Sequence, residues 1–78
     1  MISAVQSKMA RAALGLGIRE FAELAGVGVS TIQRFETGTG DLSEAKVLEL
    51  QRVFETAGVE FIPENGGGAG VRLRKEPT

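Results

Sequence analysis

Residues 17–38, GIREFAELAGVGVSTIQRFETG, are the stretch that most restricts the fold of this chain. Ile18, Phe21, Ala22 and Ala25 recur at steps of three and four residues, which predicts a short amphipathic helix over 18–25. Gly26 follows, and a glycine just past a helix end adopts a positive φ without a Cβ clash. A second helix is predicted over 29–36, before the next glycine. The stretch therefore predicts two short helices joined by a tight turn.

The second helix of this pair is predicted to bury one side and to expose the other. Ile32 and Phe35 form its apolar side. The small Ala22 of the first helix lies where the two helices cross and lets them approach closely. This spacing describes a helix-turn-helix. The remaining positions of the second helix carry side chains that can hydrogen-bond to a ligand: Ser30, Thr31, Gln33 and Arg34.

The run from residue 9 to 38, and more loosely on to 57, resembles the lambda-repressor/Cro-like (XRE) family of bacterial and phage DNA-binding domains. The resemblance implies a mainly α fold, a four-helix lambda-repressor-like DNA-binding domain, followed here by a C-terminal two-stranded β-hairpin. Gly17 and Ile18 stand where the family commonly has a Ser/Thr cap and then Gln, and Gly28 stands where Ser or Thr often caps the second helix. The matching residues are Arg11, Leu14, Gly15, Leu16, Ala22, Gly26, Val27, Ile32, Glu36 and Gly38.

The resemblance implies that the second motif helix enters the major groove of DNA. There Gln33 can bridge adenine N6 and N7, Arg34 can bridge guanine O6 and N7, and the methyl groups of Val29 or Thr31 can meet a thymine methyl. The alternative is an ordinary solvated helix face. The residues expected to contact DNA bases are Val29, Ser30, Thr31, Gln33 and Arg34. The residues expected to contact the sugar-phosphate backbone of DNA are Gly17, Ile18, Arg19, Gly28, Thr37 and Thr39.

Arg11 and Glu36 are expected to form a structural ion pair. In the family, an arginine at the position of Arg11 pairs with the glutamate at the position of Glu36, which ties the first helix of the domain to the end of the second motif helix. The alternative is that both are solvated surface charges, which contribute under about 1 kcal/mol.

The first and fourth helices are predicted to complete the core. Ser3 and Gln6 form a capping box that starts a helix running to about Leu14. The fourth helix starts at Leu42 or Ser43 after Asp41 as its cap, and it ends at Ala57. The expected apolar sides are Val5, Met9, Ala12 and Ala13 in the first helix, and Val47, Leu50, Val53, Phe54 and Ala57, with Leu48 on the flank, in the fourth.

Two strands are predicted after the helices, from VEFI at 59–62 and from the alternation in VRLRK at 71–75. We therefore expect a helix-turn-helix domain over 1–58 and, over 59–78, a hairpin with a short tail. Two strands alone are marginal in water, so the hairpin either packs only on its own helices or joins that of a second protomer. We expect a homodimer. Its expected interface residues are Val59, Phe61, Ile62, Val71 and Leu73.

Composition excludes several classes of site. The chain has no cysteine and no histidine, which removes disulfides, thiolate chemistry and histidine-based zinc or catalytic sites. We expect no enzymatic activity, cofactor, metal site or small-molecule ligand. No apolar run approaches the roughly 20 residues that span a bilayer, and the N-terminus lacks a signal peptide pattern. We therefore expect a soluble cytoplasmic protein with no membrane contact.

Charge argues against non-specific nucleic-acid binding, because the net charge is −1 and such domains are normally basic. The acidity lies mainly in residues 40–60, which contain two basic and five acidic residues. If the fourth helix faces away from the ligand, the objection weakens. We expect a sequence-specific regulator of transcription that binds double-stranded DNA as a homodimer on an inverted repeat. The alternative is an antitoxin-like or polymerase-contacting protein-interaction module, with RNA polymerase as a partner and DNA binding secondary.

Overall fold

The computed structural model describes residues 1–40 and 42–74. Within these residues, four helices precede a two-stranded antiparallel sheet. The mainly α fold with a C-terminal hairpin is therefore confirmed. The helices are α1 (Ala4–Leu14), α2 (Ile18–Ala25), α3 (Val29–Thr37) and α4 (Glu44–Thr56), and the strands are β1 (Val59–Ile62) and β2 (Gly70–Leu73).

The tight turn between α2 and α3 forms at the predicted glycine. Gly26 ends α2 with a φ of 70°, in the left-handed region, where a residue with a Cβ is strained. The Val27 N–H then donates to the Ala22 carbonyl at 3.0 Å, and Val27 packs partly buried against the core. Ala22 itself is buried. The two motif helices thus pack closely, as the sequence predicts.

Two stacked phenylalanines lie at the centre of the core. The rings of Phe21 in α2 and Phe54 in α4 are 4.1 Å apart between centroids and inclined by 9°. Both side chains are fully buried. Aromatic pairs of this kind add to stability beyond their buried area. The other buried apolar residues are Ile2, Ala10, Ala22, Ile32, Val47, Leu50 and Val59.

The prediction of which side of α1 faces the core is wrong. Val5 is 59% exposed, and of the four residues expected to face the core only Met9 is half-buried. Ala10 is buried instead, together with two polar residues, Gln6 and Ser7. The reason is that both polar side chains find hydrogen-bond partners inside the molecule, which offsets the loss of their contacts with water. The other two exposed residues are Ala12 and Ala13.

Gln6 holds both the start of α1 and the hairpin. The predicted capping box is present, because the Gln6 N–H donates to Ser3 Oγ at 3.1 Å and Gln6 Oε1 accepts from the Ser3 N–H at 3.0 Å. The Nε2 group donates to the carbonyl oxygens of Ile62 at 3.2 Å and Gly70 at 3.1 Å. Ile62 and Gly70 are register partners. One side chain therefore joins α1 to the loop end of both strands.

Helix α4 begins slightly later than predicted. Ser43 is its N-cap, and its Oγ accepts from the Lys46 N–H at 3.1 Å. The predicted cap Asp41 lies outside the described residues. Val47, Leu50 and Phe54 are buried as expected. Val53 is half-buried, whereas Ala57, predicted to be buried, is exposed because the helix ends at Thr56 and residue 57 is its C-cap.

The hairpin strands pair with each other and pack on the helices of the same chain. The antiparallel register aligns Val59 with Leu73 and Phe61 with Val71. Val59 is only 1% exposed, inside the core, and the Phe61 ring meets Phe54 edge to face at 5.9 Å. The hairpin thus shares the core of the helices. Lys75, predicted to end the second strand, lies outside the described residues.

Among the described residues, no helix is long and apolar enough to cross a membrane.

Candidate nucleic-acid interface

Helix α3 has one buried side and one exposed side. Ile32 and Glu36 are buried, and Phe35, predicted to be buried, is half-buried. Of the expected base-contacting residues, Ser30, Gln33 and Arg34 are exposed, whereas Val29 and Thr31 are half-buried. Val29 packs against the core. The exposed side of α3 is therefore polar and is formed mainly by Ser30, Gln33 and Arg34.

The C-terminal part of α3 is fixed to α1 by a buried carboxylate. Arg11 donates from Nε to Glu36 Oε2 at 2.9 Å and from a terminal nitrogen to Oε1 at 2.6 Å. Ser7 Oγ donates to the same Oε2 atom at 2.6 Å. The Glu36 side chain is 3% exposed. Arg11 also donates to the Leu16 carbonyl at 3.2 Å, so the pair ties together α1, the α1–α2 connection and α3.

Arg11 and Glu36 each favour the charged form of the other. Burial raises the pKa of Glu36, but hydrogen bonds from Arg11 and Ser7 and the nearby charges of Arg11 and Lys8 outweigh burial, so the net pKa lies below its ordinary value. The hydrogen bond to Glu36 raises the pKa of Arg11 more than burial lowers it. Both groups are therefore charged at neutral pH.

The two threonines after α3 are already engaged within the chain. Thr37 Oγ1 lies 2.8 Å from the Gln33 carbonyl and 2.9 Å from Thr39 Oγ1. A hydroxyl has one proton, and the Gln33 carbonyl can only accept. Thr37 therefore donates to Gln33 and accepts from Thr39. A phosphate contact from either hydroxyl requires one of these bonds to break.

The N-terminus of α2 presents backbone amides, and the carboxylate of Glu20 lies beside its N-cap residue. Gly17 is its N-cap, and Arg19 is exposed. A β-carbon built at Gly17 would collide with Oε1 of Glu20. An oxygen of the Glu20 carboxylate thus lies beside Gly17, at the end of α2 where the family resemblance implies contacts with a phosphate. Ile18 is also expected to contact the DNA backbone. Its side chain is half-buried and packs on the core.

Sequence reasoning missed Ser7 as a partner of Glu36. Ser7 and Arg11 are four residues apart on one helix, so their side chains lie on the same face and can reach one acceptor. That spacing is visible in the sequence once Arg11 is paired with Glu36. Nothing else in the sequence around Ser7, which stands between Gln6 and Lys8, indicates this contact.

Acidic side chains do not gather into a metal site in the part of the chain that the structure describes, since no group of three or more of them is close enough to hold an ion. The arrangement instead offers a helix anchored to α1, with an exposed amide and guanidinium at Gln33 and Arg34. These groups suit base edges, because Gln and Arg each form paired hydrogen bonds with a purine.

Comparison with known proteins agrees with this geometry. No curated protein matches the chain. A family model described as a helix-turn-helix domain matches residues 6–61. The matched range covers well over half of the chain and contains α2, α3 and α4 entirely. The protein therefore belongs to the helix-turn-helix domain family.

Proposed function

We propose that this protein is a sequence-specific regulator of transcription that binds double-stranded DNA through α3. The observation that carries the proposal is the division of α3 into two sides. Glu36 on the inner side is held by Arg11 and Ser7, while Ser30, Gln33 and Arg34 face outward. A helix whose inner side is fixed to the rest of the domain presents its outer side chains in a defined geometry. Such a geometry favours discrimination between bases.

Phosphate contacts position the helix in this proposal. The first amides of α2 and α3, at Gly17, Ile18 and Gly28, are donors at helix N-termini, where anions are stabilised. Arg19 adds an exposed charge. Because the chain has few cations near this surface, we expect about two to four neutralised phosphates per protomer and a modest dependence of affinity on salt.

Affinity from one protomer is expected to be low, so the proposal includes a homodimer on an inverted repeat. Two copies of α3 about 34 Å apart fit successive major grooves on one side of DNA. The hairpin supports a dimer contact because each strand of a two-stranded sheet has a neighbour on one side only. The side chains available for that contact are restricted, since Val59 is buried within its own chain.

The proposal is tested by selecting bound duplexes from a random DNA library. Wild type, Arg34→Ala and Arg52→Ala are compared, since Arg34 and Arg52 are both exposed arginines, on α3 and α4 respectively. We expect wild type and Arg52→Ala to enrich the same inverted repeat, and Arg34→Ala to lose preference at one base pair of each half-site. If wild type enriches nothing at low salt, the DNA-binding proposal fails and the protein-interaction alternative takes its place.

A further inference from the structure

The Arg34 side chain lies against the backbone of Gly40, in the connection between α3 and α4. A β-carbon built at Gly40 would lie 2.9 Å from Cβ, 3.1 Å from Cδ and 3.3 Å from Nε of Arg34. Favourable contacts between carbon atoms need about 3.5–4.0 Å. The stem of Arg34 therefore occupies the space that any other residue at position 40 would fill.

Backbone and hydroxyl bonds bring Gly40 to this place. After α3, the chain turns at Gly38, whose φ is 72°. The Thr39 N–H donates to the carbonyl of Arg34 itself at 3.1 Å, and the Thr39 hydroxyl meets that of Thr37 at 2.9 Å. Residues 38 and 39 are thus folded back over the last turn of α3, which sets Gly40 beside the Arg34 stem.

Two glycines of the hairpin loop lack such a neighbour. Gly67 and Gly68 lie in the hairpin loop, and no heavy atom among the described residues lies within 4 Å of a β-carbon built at either. Gly40 is also not among the glycines with positive φ. Alanine is therefore compatible with the backbone of Gly40, and the contact with Arg34 is what an added methyl group would disturb.

We propose that Gly40 is a positioning residue that sets the sequence preference of the DNA-binding surface by directing the Arg34 side chain. The inference rests on the proposed function, because it assigns a partner to a base-contacting arginine. A guanidinium discriminates guanine only when both of its hydrogen bonds to O6 and N7 are aligned. A stem that lies against Gly40 has fewer rotamers to lose when DNA binds.

The test is a double-mutant cycle on the selected DNA sequence. Wild type, Gly40→Ala, Arg34→Ala and the double variant are titrated against that duplex and against one altered at the base pair that Arg34→Ala no longer distinguishes. Gly68→Ala is the matched control, and thermal unfolding of each variant checks the fold. We expect Gly40→Ala to reduce the preference between the two duplexes about five- to tenfold, and Gly68→Ala to leave it unchanged.

The cycle separates positioning from a general effect of the loop. We expect Gly40→Ala to have no effect on preference when Arg34 is already alanine, because its action passes through that side chain. Unchanged preference in Gly40→Ala, or an equal loss of affinity for the selected duplex in both backgrounds, would overturn the inference while leaving the DNA-binding function in place. If wild type enriches no DNA, the function and the inference fail together.

A second measurement follows the Arg34 side chain without DNA. The order parameter of its Nε–H group, from nuclear magnetic resonance relaxation, is expected to exceed that of the exposed Arg19 in wild type. We expect it to fall to the Arg19 level in Gly40→Ala and to stay high in Gly68→Ala. Equal mobility of Arg34 in wild type and Gly40→Ala would contradict the proposed contact.

Discussion

Arg11 and Glu36 form a two-pronged ion pair across 25 positions of sequence, with nitrogen–oxygen distances of 2.9 and 2.6 Å. Such paired geometry is stronger and more directional than a single hydrogen bond. The carboxylate is buried, while the guanidinium is 20% exposed. Losing either partner leaves a charge without its counter-ion near the core. We therefore expect the packing of α3 on α1 to depend on the charge of Glu36.

Replacement of Glu36 by glutamine is expected to lower the free energy of unfolding by about 3 kcal/mol at neutral pH. The folded pKa of Glu36 is lowered, so the unfolded chain binds the proton more readily. The stabilisation is present above the unfolded value of about 4.3 and is lost as pH falls through the folded pKa. Urea unfolding of wild type and Glu36→Gln from about pH 7 down to about pH 3 measures this.

We expect the difference in stability between the two proteins to shrink as pH falls through this range. Ser7→Ala provides a graded comparison, because it removes one donor to Glu36 and leaves the ion pair. Its cost at neutral pH is expected to be about 1 kcal/mol, smaller than that of Glu36→Gln. A difference between wild type and Glu36→Gln that is independent of pH would contradict the assignment.

The core of α2 and α3 could be predicted from the sequence, whereas that of α1 could not. Phe21, Ala22 and Ile32 follow helical periodicity and are buried, since apolar burial is largely a local pattern. Gln6 and Ser7 are buried because their side chains form hydrogen bonds inside the molecule. The partners of Gln6 lie 56 and 64 positions away in the sequence, and that of Ser7 lies 29 positions away. Counting apolar residues in one helix does not reveal such partners.

The candidate site shows the same division. The exposed side of α3 followed from its periodicity, and the resemblance identified the pairing of Arg11 with Glu36. The contact of Gly40 with Arg34 and the approach of Glu20 to Gly17 depend on rotamers and on the path of a loop. These are set by the folded chain as a whole, so a residue pattern does not contain them.

Replacement of Gln6 by glutamate is expected to release the hairpin. The Nε2 group of Gln6 donates to two carbonyl oxygens, those of Ile62 and Gly70. A carboxylate cannot donate to them, so we expect a loss of about 1–3 kcal/mol. Hydrogen exchange of the amides in 59–62 and 70–73 is expected to accelerate more than that of α2.

Gln33→Glu is the control for this change, because Gln33 is exposed on α3 and an exposed substitution of this kind has a small effect on stability. We expect hairpin exchange in Gln33→Glu to match wild type. Equal protection of the hairpin in Gln6→Glu and Gln33→Glu would show that the two hydrogen bonds do not hold the strands.

Glu20→Gln is expected to strengthen DNA binding about two- to fivefold at low salt. The Glu20 carboxylate lies beside Gly17 at the N-terminus of α2, the helix end to which the proposal assigns a DNA phosphate. Removing its charge relieves repulsion of the phosphate and leaves the helix dipole free to act on it. Titration of a fixed duplex measures the change.

Glu49→Gln serves as the charge-matched control, since Glu49 is an exposed acidic residue of α4. If net charge alone governs affinity, both variants improve binding equally. We expect improvement mainly in Glu20→Gln. Equal gains in the two variants would count against a phosphate at the start of α2.

Leu73→Glu is expected to weaken the proposed homodimer at least tenfold and to leave the protomer folded. Leu73 is 52% exposed on β2, whereas its register partner Val59 is buried. A charge at residue 73 can therefore stay in water in the single protomer, and it loses water only if a second hairpin covers it. Leu24→Glu is the control, because Leu24 is similarly exposed, at 56%, beside a groove lined by Arg52, Val53, Thr56 and Ala57.

Sedimentation equilibrium across a range of concentrations measures association. A dimer disrupted by Leu24→Glu but not by Leu73→Glu would place the contact on the helices instead, and a wild-type monomer at all concentrations would exclude a dimer that forms without DNA.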